Sequence, residues 1–449
     1  MNVETLRLRI QTVLGQHGNA RFAWDSVGVL ALKIVGQLLI LIVTIAMTRV
    51  MGAAEYGTFA YLISVSFAVV LIATLGLPMA ANKIVSRYTA RGRIGRSRRF
   101  IMFGTGAIVA ASLVCGTLFD LAWVWYGAAD LSWWHLTGLI LTMALMRFLT
   151  DTARALGRPL LGFGAETAGV RLLYLIGVGA ALLLPLGLSV RVAVEVYIAA
   201  NAVVVAVLLT AVLARVRVME ANPPRRLGPL YRRWGSTALL MLTTPLFFYV
   251  ISETDILVLG LVGSPAEVGV YQVARRLAEL TMFCSIAVNG VGLARLAECH
   301  TLRQPDRLQR TVDLMMVLSA VPTVGVALML LAFGEPLLRL FGPDFTAGYV
   351  AMGILAAYRT IDVLTGPASE VLMMTGHHHR VFRANLAFAA ANVAVVAVFA
   401  SLWGLEGAAL GTATGTLLWK AAMYAMVRRL TPYETSILVR LARLKARAA

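Results

Sequence analysis

Charge is scarce in this sequence, and negative charge scarcer still. Only 14% of its 449 residues carry an ionised side chain, and 22 Asp and Glu stand against 40 Lys and Arg. So little polar surface cannot cover a chain that is 59% hydrophobic, which excludes a soluble globular domain. Cysteine is almost missing. Cys115, Cys284 and Cys299 lie in apolar runs or in a basic connection, at spacings that suit neither an exported disulfide framework nor a metal site. His377, His378 and His379 form a tract without carboxylate or cysteine company, so neither a metal nor any other cofactor is expected. The alternation of apolar and polar residues that marks a membrane barrel is missing too.

Long apolar runs are what the sequence has instead. A bilayer span takes about 20 mostly apolar residues, and twelve such stretches occur, near 26–50, 57–78, 100–120, 133–156, 160–184, 189–213, 236–262, 266–292, 311–332, 347–373, 381–403 and 405–429. An all-α, multi-pass membrane protein of about twelve transmembrane helices is predicted. No cleavable signal peptide is expected. Leu6, Ile10, Val13 and Leu14 share one helical face, which predicts an amphipathic segment over residues 1–25.

The net charge of +18 would suit a nucleic-acid partner if it lay on one face, but it falls in every second connection. Lys83, Arg87, Arg91, Arg93, Arg96, Arg98 and Arg99 crowd one connection, and Arg215, Arg217, Arg225, Arg226, Arg232 and Arg233 crowd another. Arg295, Arg303, Arg307 and Arg310 follow the eighth span, and a basic tail closes the chain. The connections between them are nearly free of cations, and Trp123, Trp125, Trp133 and Trp134 cluster at one, as an interfacial aromatic belt would. This positive-inside asymmetry places both termini in the cytoplasm and excludes nucleic acid as the partner. The basic connections also suit anionic membrane lipids.

One short stretch occurs twice. Ala54-Glu55-Tyr56-Gly57-Thr58-Phe59 returns as Ala266-Glu267-Val268-Gly269-Val270-Tyr271, between spans one and two and again between spans seven and eight. Six helices separate the copies, so they face the same way across the membrane and mark a parallel internal repeat. The predicted organisation is an N-lobe over 26–213, a basic linker over 214–235, a C-lobe over 236–429 and a cytoplasmic tail over 430–449, with the lobes related by a pseudo-two-fold axis along the membrane normal. Gly52, Gly57 and Gly269 are expected to allow a tight turn and close helix approach, and Glu55 and Glu267 to sit at helix starts.

Charges inside spans cost about 2.5–3.5 kcal/mol each on insertion scales and mark functional sites. Lys33, Arg147, Arg275, Arg276, Arg359 and Lys420 are the candidate substrate-binding cations. Glu253, Asp255, Glu279 and Asp362 are the candidate ion-coupling or ion-pairing acids. Spacing predicts Arg275 with Glu279 and Arg359 with Asp362. Glu253 and Asp255 point in different directions from their helix, so they are expected not to share one arginine. The cations left over, Lys33, Arg171 and Lys420 among them, predict a cavity with surplus positive charge, suited to a phosphate or pyrophosphate. Pro245 and Gly366-Pro367 predict helix kinks.

Over its whole length the sequence resembles the Wzx-type polysaccharide flippases of the multidrug/oligosaccharidyl-lipid/polysaccharide exporter superfamily. The resemblance rests on "TRVMGAAEYGTFAYLISV" preceded by Lys33, on "LGLPMAANKIV", on "TDILVLGLVGSPAEVGVYQVARRL", on "LLRLFGPDF" and on "GLEGAALGTATG". It implies a two-lobed cavity, alternating access, cation coupling and a bacterial cytoplasmic membrane location. The cargo it implies is a polyprenyl-pyrophosphate-linked oligosaccharide for O-antigen or exopolysaccharide, with the polysaccharide polymerase and other assembly proteins as further partners. Twelve spans are fewer than the fourteen of some lipid II flippases in that superfamily. Lys33 stands where its drug exporters typically carry an acid, although a cation-coupled small-molecule exporter is the alternative. A membrane-embedded polymerase or ligase would need a large outer loop with catalytic residues; the connections are short and hold no nucleophile–base set, so no enzyme is expected.

Overall fold

The computed structural model describes residues 3–125, 131–183, 187–217, 228–302 and 304–436. The side chains of residues 1–27 lie outside that description, as do most of the linker and the end of the tail. The amphipathic face assigned to residues 1–25, the side chains of Trp125, Trp133, Cys284 and His378, and the loop arginines at 225, 226 and 303 therefore lie outside the described residues. Of the remaining belt residues, Trp134 is exposed and Trp123 buried.

The described chain is helical, without strands. Its helices are α1 (Val3–Ala73), α2 (Leu77–Ala90), α3 (Ile94–Trp125), α4 (Trp133–Ala155), α5 (Pro159–Gly164), α6 (Val170–Leu183) and α7 (Val190–Arg217). Then come α8 (Gly228–Val262), α9 (Pro265–Ala278), α10 (Phe283–Thr301), α11 (Pro305–Arg339), α12 (Tyr349–Leu364), α13 (Ala368–Met374) and α14 (His378–Leu430). Among the described residues nine helical stretches are long and apolar enough to cross a membrane. Two of them, at 46 and 52 residues, are long enough for two passes and are broken midway, α1 at Gly52 and α14 at Trp403–Gly404. The interrupted stretch formed by α9 and α10 supplies one more, too charged to stand out by hydropathy. The twelve passes expected from sequence are thus present.

By their contacts the helices form two units, Met1–Val43 with Ser66–Leu246, and Thr44–Val65 with Phe247–Ala449. The first unit is centred on α4, which packs against α2, α3, α5 and α7. Phe100, Phe148, Ile108, Leu136, Leu139 and Trp234 are fully or almost fully buried there. In the second unit α12 packs against α9, α11 and α14, and α13 against α14. One apolar cluster joins Leu296, Leu308, Val312, Met315, Met316 and Val371, and another joins Leu372, Val381, Met423 and Val427.

The second unit brings the two copies of the repeat together. A Cβ on Gly57 would stand 1.7 Å from the carbonyl oxygen of Pro265, and one on Gly269 would stand 2.2 Å from that of Ala53. Ala53 and Pro265 are themselves equivalent in the repeat, so the contact is reciprocal about a local two-fold. The positive φ of the first copy falls on Gly52, at 73°, rather than on Gly57. Gly57 and Gly269 serve helix approach, and Gly52 serves the kink. Glu267 completes a capping box with Ser264, accepting from its backbone N–H at 2.7 Å. Glu55 is exposed. Around this knot Arg49 Nε donates to the carbonyl of Leu340 at 2.8 Å, and Tyr56 meets Phe345 edge to face at 6.4 Å. The "LLRLFGPDF" segment is thereby tied to the first turn.

Gly57→Ala is expected to lower the detergent-solubilised yield severalfold and the Tm of what remains, because its methyl overlaps backbone that cannot rotate away. Overpacking of this kind costs about 1–3 kcal/mol or more. Gly106, whose Cβ would meet nothing within 4 Å, is the control, and Gly106→Ala should leave both unchanged. Equal behaviour of the two variants in fluorescence-detected size exclusion would contradict the reciprocal contact.

Pro245 lies inside α8, next to the residue where the units divide, and α8 continues through it as one helix. At Gly366-Pro367 the helix is interrupted: α12 ends at Leu364, Gly366 takes φ +72°, and α13 begins after Pro367. Gly366 is also crowded, since its Cβ would lie 2.0 Å from the carbonyl oxygen of Thr435. The segment after α14 is docked there. Gln309 donates to the Glu434 carbonyl at 2.8 Å and accepts from its N–H at 2.9 Å, and the Tyr424 hydroxyl donates to its carboxylate at 2.7 Å.

Candidate functional site

The second unit encloses a cavity of about 390 Å³ lined from α8 through α14. Six of the ten charged candidates line it: Asp255 from α8, Arg275 from α9, Glu279 from the 3-10 turn after it, Arg359 and Asp362 from α12, and Lys420 from α14. Glu370 joins them from α13, with Ser285, Asn289, Tyr358 and Trp419 between the charges.

Arg275 organises this set. It is 8% exposed and meets three carboxylates. Nη2 reaches Glu253 at 2.7 Å, Nη1 reaches Asp255 at 3.2 Å, and Nε reaches Glu279 at 3.3 Å. The i,i+4 pairing of Arg275 with Glu279 is as the spacing predicted. The expectation that Glu253 and Asp255 would have separate partners fails. A guanidinium donates along several edges of one plane, so carboxylates arriving from different directions can share it. Asp255, itself buried, also accepts from the Tyr271 hydroxyl at 2.8 Å and from the Ile256 N–H at 2.9 Å.

The predicted Arg359–Asp362 pair is replaced as well. Asp362 takes Lys420, 2.9 Å away, because α14 packs on α12 and delivers the ammonium to it. Arg359 leans over the Tyr358 ring and stands 4.0 Å from Glu279. Arg276 is half-buried and is not part of the lining. Around this cavity three cations, Arg275, Arg359 and Lys420, thus face five acids, Glu253, Asp255, Glu279, Asp362 and Glu370. The positive surplus expected of the cavity is not found in this unit, because Lys420, counted as a spare cation, is neutralised by Asp362.

In the first unit the balance is the reverse. Arg154 on α4 pairs with Asp151 at 2.9 Å and with Glu166, and its guanidinium lies 3.8 Å from the centre of the Phe163 ring. Lys33 on α1 stands over the same ring at 5.6 Å, and Arg147 stands over Phe67 at 4.9 Å. Arg171 follows on α6, near Gly36: a Cβ there would meet its Nη1 at 2.9 Å. Four cations therefore accompany two acids. Among the described residues neither Lys33 nor Arg147 has a carboxylate oxygen within 4.0 Å.

Glu166 sits in a π-helical turn, Ala165–Gly169, set between α5 and α6. Such turns change the rotation of the helix and recur at functional sites. Sequence reasoning did not find this turn, nor the stacking of Arg154 and Lys33 on Phe163. Phe163 read simply as one apolar residue of a span, although its place four residues before Thr167, whose hydroxyl donates back to its carbonyl, is consistent with a distorted helix.

Residues 241–399 match the MatE family model. No curated protein matches the chain in sequence. Among solved structures it is similar to an inward-facing multidrug resistance transporter of the MATE family in the MOP superfamily, at 13% identity and a TM-score of 0.69, over 94% of this chain and all of that one. It is similar to the lipid II flippase MurJ in an inward closed conformation, at 13% identity and a TM-score of 0.66, over 90% of this chain and 87% of that one. A variant of the Vibrio cholerae MATE transporter VcmN aligns with a TM-score of 0.58 at 17% identity, over 91% of this chain and 97% of that one. The chain has the fold of these transporters, and the segment that matches the MatE model covers the stretch that holds α9 to α13.

Proposed function

We propose that this protein is a flippase that carries a polyprenyl-pyrophosphate-linked oligosaccharide from the inner to the outer leaflet of a bacterial cytoplasmic membrane by alternating access. The support for the reading is the cation-rich set of the first unit, where Lys33 and Arg147 stand at span positions with no carboxylate oxygen within 4.0 Å among the described residues. A cation inside a span is expensive unless something negative meets it; Glu166 and Asp151 act on Arg147 but are shared with Arg154, and a pyrophosphate would complete the compensation. Aromatic rings beside the cations suit a sugar or prenyl face. The shared fold supports transport, and one of the similar structures is named as a lipid flippase. In this reading Lys33 and Arg147 hold the pyrophosphate, with Arg154 oriented by Asp151 and Glu166 beside them. The acid-rich cavity of the second unit serves cation coupling, with membrane lipids and polysaccharide assembly proteins as the surrounding partners. No catalytic chemistry is assigned to the chain.

A second reading, a cation-coupled exporter of small molecules, is favoured by that same acid excess around Arg275. The two separate in one experiment. Deleting the gene should leave lipid-linked oligosaccharide on the cytoplasmic leaflet, detected by protection from a glycosidase added outside spheroplasts, and expression of the chain should restore access. Unchanged leaflet distribution, with a lost tolerance to cationic drugs, would overturn the first reading in favour of the second.

A further inference from the structure

A separate basic cavity of about 240 Å³ lies in the first unit, where the α2–α3 turn meets the start of α8. Lys83, Arg87, Arg91, Arg93, Arg96 and Arg233 line it, and no acid does. None of these six forms an ion pair with another described residue. Neither α3 nor α8 has an acid in its first turn, where the helix dipole favours negative charge.

The cavity is built rather than a chance meeting of loops. Trp234, 2% exposed, forms its floor. Its indole N–H donates to the Tyr88 hydroxyl at 3.2 Å, and its ring meets Phe100 edge to face at 5.3 Å. Tyr231 stacks on Phe103 at 5.2 Å. These contacts fix α8 to the α2–α3 hairpin and hold the arginines in register. The apolar floor with a cationic rim fits a group whose charge sits on phosphate and whose body is greasy.

We infer that this cavity is a binding site for the phosphate headgroup of an anionic lipid, on the face that the charge asymmetry assigns to the cytoplasm. Arg forks match phosphate oxygens in pairs, and basic juxtamembrane clusters attract anionic headgroups. The site is distinct from the charges at span depth.

Native mass spectrometry of the full-length protein tests it. The purified chain is titrated with phosphatidylglycerol, phosphatidylcholine, inorganic pyrophosphate and farnesyl pyrophosphate. Phosphatidylglycerol is expected to be retained at least tenfold better than phosphatidylcholine, and inorganic pyrophosphate to displace it. The triple variant Arg87→Gln, Arg93→Gln, Arg233→Gln should lose that preference. The same positions changed to Lys should keep most of it, which separates lost charge from a lost fold. Displacement by farnesyl pyrophosphate at a tenfold lower concentration than inorganic pyrophosphate needs would assign the site to isoprenoid pyrophosphates, and displacement only at the same or a higher concentration would assign it to bilayer phospholipid. Either result supports a phosphate site. Two outcomes overturn it: a triple Gln variant that retains phosphatidylglycerol like the parent, or an Arg98→Gln, Arg232→Gln variant, changed just outside the cavity, that loses as much.

Discussion

Replacing Lys33 and Arg147 together by Ala is expected to cut flipping of a lipid-linked pyrophosphate by more than tenfold while the protein level in the membrane holds. Among the described residues neither has a carboxylate oxygen within 4.0 Å; Arg147 feels Glu166 and Asp151 at longer range, and both acids keep Arg154 when it is removed. A hydrogen bond to a charged group contributes about 1.5–3 kcal/mol, and 1.4 kcal/mol is about a factor of ten. Two lost contacts to pyrophosphate therefore exceed tenfold even with partial compensation. Arg154→Ala should behave differently. It leaves Asp151 and Glu166 without their cation, so yield falls together with transport. The measurement is glycosidase protection of the lipid-linked oligosaccharide in proteoliposomes, normalised to reconstituted protein. Normal flipping by the double variant would remove the central support for a pyrophosphate cargo.

What could be read from the sequence was what local chemistry dictates. A membrane span needs a fixed length of apolar chain, so the passes stood out even where hydropathy failed. The interrupted α9–α10 pass holds Arg275, Arg276 and Glu279, and its position between two clear spans supplied what its composition concealed. The recurrence of Gly57 as Gly269 announced a repeat, and the reciprocal contact gives it a physical purpose. Arg275 with Glu279 followed from one turn of helix. What sequence could not give was the partner chosen across helices. Asp362 had Arg359 one turn away, but it meets Lys420 because α14 lies against α12. Counting Lys420 as a spare cation was therefore wrong, and the sign of the second unit's cavity changed with it. The π-helical turn at Glu166 leaves no mark in apolar periodicity. The basic connection was obvious as charge, but its shape was not. Trp234 reads as one aromatic after a run of arginines, and only the packing of Phe100 and Tyr88 makes it the floor of a cavity.

Arg275→Met is expected to be the most damaging single change in the second unit. Methionine fills much of the same volume, so the loss is one of charge. Glu253, Asp255 and Glu279 would then repel one another in a setting where Asp255 is 4% exposed. Removing one partner from a buried ion pair costs about 3–5 kcal/mol, a large share of the stability that a helical unit has to lose. The expected result is a collapse of monodisperse yield in detergent. Because the carboxylates outnumber the arginine, the reverse changes should be tolerated. Glu253→Gln leaves Arg275 with two acids, and Asp255→Asn keeps an acceptor for the Tyr271 hydroxyl. Each of these should hold its yield, and adding both to Arg275→Met should restore most of what that change removes. The same variants bear on coupling. If the acid excess serves a proton or sodium ion, Glu253→Gln should flatten the dependence of flipping on the pH or sodium gradient without altering the amount of folded protein. Full yield of Arg275→Met alone would mean that the three carboxylates do not need the arginine to be held where they are. The arginine would then not be what holds α8, α9 and the 3-10 turn together, and the case for a coupling site would go with it.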